Sequence, residues 1–118
     1  MIDEKNGSKV AVMPGDTLLL TDIQSALDLI ATVLYEFDCN KILLPKQSIC
    51  EDFFDLRTCF AGEILQKYTN YGVIVAIVGD FSIYLSKSLQ DFIYESNKGK
   101  QIIFCATNEE ALIRLHSL

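Results

Sequence analysis

The side chains in this chain that could do chemistry gather after three apolar runs. After Lys41 to Leu44 come Lys46, Ser48, Glu51, Asp52, Asp55, Arg57 and Thr58. After Val73 to Val78 come Asp80, Ser82, Tyr84, Ser86, Lys87 and Ser88, and after Gln101 to Cys105 come Thr107 and Asn108. Acids and hydroxyls there have two uses. They line a binding rim, or they cap helices by accepting from unpaired backbone N–H groups. Asp55, Ser86 or Ser88, and Asn108 read as caps. Asp80, Arg57 and Lys87 fit either use. No reaction is named by a motif. The single His116 lies in the last helix, far from this rim and with no acid partner in view. It reads as a surface residue, so a Ser-His or Cys-His nucleophile is not expected. Both G-x-G-x-x-G and G-x-x-x-x-G-K-S/T are missing, so phosphates have no glycine cradle. The four cysteines show no C-x-x-C pair and no His cluster. They read as free thiols in a reducing cytoplasm rather than as metal ligands. A phosphoacceptor receiver domain is excluded, because only Asp80 fits its acidic cluster. No catalytic residue, metal or cofactor is expected.

The elements that must position these residues follow from periodicity. Val73 to Val78 is apolar without alternation, which predicts a strand buried on both faces. Gly79-Asp80 ends it. A helix follows, started by Ser86 or Ser88 and ended near Asn97 to Gly99, with Leu85, Leu89, Phe92 and Ile93 on one face. Upstream, Met1 to Gly7 reads as a frayed end. Lys9 to Met13 and Thr17 to Leu20 read as strands around a Pro14-Gly15-Asp16 turn. Thr21 or Asp22 starts a helix whose apolar residues recur from Ile23 to Phe37. Lys41 to Leu44 is a strand, and a helix is expected from about Asp55 to Tyr68. Gln101 to Cys105 is a strand, and a last helix starts near Thr107 or Asn108. The pattern is ββαβαβαβα. It predicts one α/β domain over residues 1–118, with a mixed, mainly parallel sheet of about five strands covered by helices and Val73 to Val78 central in it.

Composition narrows the function. With 118 residues, half of them hydrophobic, the chain can build a core without staples. A formal charge of −6 argues against a nucleic-acid partner, which needs a basic face. No apolar stretch approaches the roughly 20 residues that span a bilayer. MIDEKNGSK has no apolar signal region, so a cytoplasmic protein away from membranes is expected.

The turn Phe81-Ser82-Ile83-Tyr84-Leu85 is too apolar for an ordinary rim loop. Phe53-Phe54 falls on the same rim. Phe53, Phe54, Phe81, Ile83 and Tyr84 therefore form the expected contact surface, with Phe53 or Phe81 tucked partly into the core.

The blocks FFDLRTCFAGEILQKYTNY, Phe53 to Tyr71, and AIVGDFSIYLSKSLQDFIYESNKGKQI, Ala76 to Ile102, carry a family resemblance. With the order of elements, they resemble the STAS domain of bacterial anti-sigma-factor antagonists. More closely, they resemble an uncharacterised bacterial STAS-like family, a domain of unknown function. The resemblance implies a regulatory interaction module. STAS antagonists carry a phosphorylatable serine in an Asp-Ser-Ser-Gly-like turn. Here that region reads Asp55-Leu56-Arg57-Thr58-Cys59, without the serine pair. Thr58 is the candidate phosphosite, and Arg57 beside it would suit an anion. The expected function is a small module that binds a protein partner or itself. The alternative is a small-ligand sensor or enzyme using Asp80, Arg57 and Lys87.

Overall fold

The computed structural model describes residues Met1–Leu118. Strands β1, Ile2–Lys5, and β2, Ser8–Val12, form an antiparallel hairpin in which Ile2 faces Ala11 and Lys5 faces Ser8. The turn is Asn6-Gly7, with φ of 52° and 82°. Two positive φ angles match the right-handed twist of the strands, and Asn-Gly is the pair that reaches them at least strain. The frayed end is thus a strand. Thr17 to Leu20 is not one. Only Leu20 makes a lone parallel bridge, to Ile49, and its side chain is buried. The apolar residues there anchor a loop to the core instead of running a ladder.

Asp22 caps α1, Ile23–Ala31, through a reciprocal pair with Ser25. A turn of π-helix, Thr32–Glu36, continues it. Strand β3 is Lys41–Pro45. Helix α2, Phe60–Tyr71, starts later than expected. Three short 3-10 turns occupy the space before it, and Cys59 breaks in with a left-handed φ of 63°. Strand β4 is Ile74–Val78. Ser86 caps α3, Lys87–Lys98, by accepting from the Leu89 N–H at 3.2 Å. Strand β5 is Ile102–Cys105, and Thr107 caps α4, Asn108–His116.

The sheet order is β1-β2-β3-β4-β5, with β2 to β5 parallel. This is the expected mixed, mainly parallel α/β sheet. β4 is paired on both sides, although β3 is the middle strand. Every parallel step moves the same way along the sheet. Right-handed crossovers then put α1, α2 and α3 on one face. Their core holds 22 buried residues, among them Ile42, Leu44, Val75, Ile77 and Phe104. The alternate residues Leu43, Ala76 and Ile103 meet Ala111 and Leu115 of α4 in a core of seven on the other face. Burial on both faces explains the unalternating runs. The strand order never reverses, so the sheet has no switch-point crevice of the kind that holds ligands in doubly wound folds.

Candidate functional site

The loops leaving β3 and β4 meet at the carboxyl end of the sheet. A Cβ on Gly79 would lie 2.7 Å from the Lys46 Cβ, so only glycine lets the two loops close. Lys46 then reaches over the rings of Phe54 and Tyr84, 5.4 and 5.1 Å from their centroids. Those rings stack at 5.1 Å and 14°. The Tyr84 hydroxyl donates to Glu51 at 3.0 Å, and Lys46 lies 3.6 Å from the same carboxylate. The Tyr84 hydroxyl, and after it Glu51, hold the Lys46 ammonium above its ordinary range, against partial burial. Partial burial in turn raises the Tyr84 phenol. Gln90 Nε2 donates to the Tyr84 carbonyl at 3.0 Å, which ties the loop to α3.

The expected aromatic surface divides. Phe53, at 0 % exposure, and Phe54 are core, because they pack edge-on against each other at 5.0 Å and Phe53 continues onto Phe60. Both are buried, not exposed at the rim. Phe81 is half-buried between Phe54 and Phe104. Tyr84 is half-buried on Phe54. Ile83 stays 62 % exposed. Leu85, expected on the core face of α3, is 90 % exposed, because the helix begins after it. Lys46, Glu51, Phe54 and Tyr84 were all legible as rim residues, but their mutual contact was not, since it joins two separate loops.

The charged candidates do not converge. Arg57 donates to both oxygens of Asp55 at 2.9 Å, and this guanidinium holds the Asp55 carboxyl below its ordinary range. Asp80 accepts from the Ser82 N–H and hydroxyl at 3.0 and 2.6 Å, and the Ser82 contacts lower its pKa. Lys87 pairs with Asp91 one turn on, at 3.1 Å. The Thr58 hydroxyl lies 2.7 and 2.8 Å from the carbonyls of Asp52 and Asp55, and it accepts from the Phe60 N–H at 3.3 Å. It locks the entry to α2. Between the loops lies a groove of about 790 Å³, lined by Glu51, Asp52, Asp55, Arg57 and Tyr84 among others. Three carboxylates face the Arg57 guanidinium and the Lys46 ammonium beside Glu51, which leaves the groove with one unbalanced negative charge.

Residues 5–115 match a family described as a domain of unknown function, DUF4180. The chain belongs to that family. No curated protein and no solved structure matches it. The DUF4180 match takes in both rim loops and stops one residue short of His116.

This DUF4180 chain holds a second polar group, at the opposite end of the sheet. His116 is neither a surface residue nor without an acid. Its side chain is 8 % exposed and lies 3.2 Å from Asp3. The β1–β2 hairpin brings that acid in, so the Asn6-Gly7 pair was the signal in the sequence that pointed to it.

Proposed function

We propose that this chain is a small cytoplasmic, STAS-like regulatory module that docks a protein partner through the loop after β4. The observation that carries this reading is the exposure of Ile83 and Leu85 on a loop whose other side chains are held. Tyr84 between them is stacked on Phe54 and tied to Glu51, and Asp80 fixes Ser82. A pre-set loop loses little freedom on binding, so exposed apolar area on it converts well into affinity. The element order ββαβαβαβα supports the STAS-like part of the reading. Four free thiols suit a reducing compartment, and no helix is long and apolar enough to cross a membrane.

Charge selects the partner. The groove beside the loop is acidic, and the chain carries −6. A second copy would bring the same carboxylates to the same place. The matching surface is therefore on another protein, with an apolar pocket rimmed by Lys and Arg. The small-ligand reading has less support, because Asp80, Arg57 and Lys87 are each paired within the chain. A photo-reactive residue placed at Leu85 tests the docking in cells, with Tyr35 as an exposed control position. The expected result is one hetero-adduct from Leu85 and none from Tyr35. Self-adducts alone, or equal labelling at both positions, would overturn the reading.

A further inference from the structure

The amino end of the sheet holds a chain of hydrogen bonds that the docking loop does not use. Lys41 opens β3 and is only 8 % exposed. Its ammonium donates to Ser8 Oγ at 2.9 Å and to the main-chain oxygen of Leu118 at 3.0 Å. Ser8 Oγ lies 2.9 Å from His116 Nδ1, and His116 Nε2 lies 3.2 Å from Asp3 Oδ2. The chemistry of the groups orders the protons. A carboxylate only accepts, so Nε2 carries the ring hydrogen. In the neutral ring Nδ1 is then an acceptor, and the Ser8 hydroxyl supplies its hydrogen. An ammonium only donates, so Ser8 accepts from Lys41. The direction is Lys41 to Ser8 to His116 to Asp3, and one lone pair of Ser8 stays free.

These are the parts of an activated nucleophile. The base stands within hydrogen-bond reach of the hydroxyl, and a third group orients the base. The positive charge beside Oγ favours the oxygen as its proton leaves. A pocket of about 500 Å³ opens here, lined by Asp3, Asn6, Ser8, Leu112, Ile113 and His116. Leu112 and Ile113 give it one apolar wall, suited to a short acyl chain.

We propose that Ser8 is a nucleophile for small activated acyl esters, with His116 as its general base and Asp3 as a positioning residue. Ser8 Oγ bonds to the ester carbonyl carbon while its proton passes to His116 Nδ1. The bond from carbon to the leaving oxygen then breaks, and His116 returns the proton to the departing alcohol. Water resolves the acyl-Ser8 ester by the same steps in reverse order. It gives a proton to His116, the carboxylic acid leaves, and Ser8 regains its hydrogen.

The full chain is incubated with p-nitrophenyl acetate, and adducts are mapped by mass spectrometry. The expected result is nitrophenolate release with an acetyl group on Ser8. The rate should fall by about 100-fold in His116→Gln. Asp3→Asn should slow it too, and Asp3→Glu should restore part of it, which a purely structural contact would not do. Acetylation confined to lysines in the folded wild-type chain would overturn the proposal. So would Ser8 labelling at an unchanged rate in a folded His116→Gln. If a variant fails to fold, the site of the wild-type adduct decides alone.

Discussion

Tyr68 is fully buried in the larger core, and its hydroxyl has no hydrogen-bond partner. An unpaired buried hydroxyl loses its bond to water and gains nothing in return. Tyr68→Phe should therefore raise stability by roughly 1 kcal/mol, read as a higher urea midpoint with an unchanged slope. The same burial holds the phenol above its ordinary range. The unfolded phenol ionises near pH ~10, where the folded one keeps its proton. The folded state then binds the extra proton, so this contribution is full below that pH and is lost as pH rises beyond it. Urea midpoints at about pH 8 and about pH 10.5 should fall further apart in the wild type than in Tyr68→Phe. An equal fall would contradict the assignment. Exposure of single residues was only partly legible in the sequence. Phe53 and Leu85 are both apolar residues beside a rim loop, yet one is core and the other is in solvent. Where α2 and α3 begin decides that difference, and helix starts are the least sharply encoded feature of a chain.

The β1–β2 hairpin shows at the element scale what local signals carry. Asn6-Gly7 specifies the turn, but the four residues before it are mostly charged, and charge hides a strand that lies at a sheet edge. Edge strands favour such residues because they deter pairing with other chains. Gly7 sits at φ 82°, where a Cβ is strained. Gly7→Ala should cost roughly 1 kcal/mol and free the β1 amides to exchange faster with solvent. Those amides staying as protected as in the wild type would show that packing, not the turn, holds β1. By contrast, α1 and β4 were plain, because α1 repeats one period over several turns and β4 is an unbroken apolar run. The 3-10 turns between β3 and α2 repeat nothing, so a helix was expected to start there too early.

For the whole molecule, the alternation of helices and parallel strands from α1 onward was legible, since alternating periods leave few arrangements, but of the two opening strands only β2 was placed where it lies. The order of strands was not legible, and it decides which face each helix covers. One face has three helices and 22 core residues, and the other has α4 and seven. Leu115 is the fully buried leucine that α4 gives to that thinner core. Leu115→Ala should cost about 3 kcal/mol by urea unfolding, because no second helix can close the gap. A cost under about 1 kcal/mol would mean that the face repacks. The candidate sites were the least legible, because each joins distant segments: β3 and β4 loops at one end, β1, β2 and α4 at the other. The proposed docking through the loop after β4 needs its exposed side chains to serve binding and not core packing. It is tested most directly by calorimetric titration of the photo-captured partner with the double variant Ile83→Ser, Leu85→Ser. The variant should melt with the wild type, since both side chains are already in solvent. Its binding should weaken by at least 2 kcal/mol, roughly 30-fold, as loss of an apolar anchor implies. Wild-type affinity in a folded variant, or unfolding of the variant itself, would rule out docking through this loop.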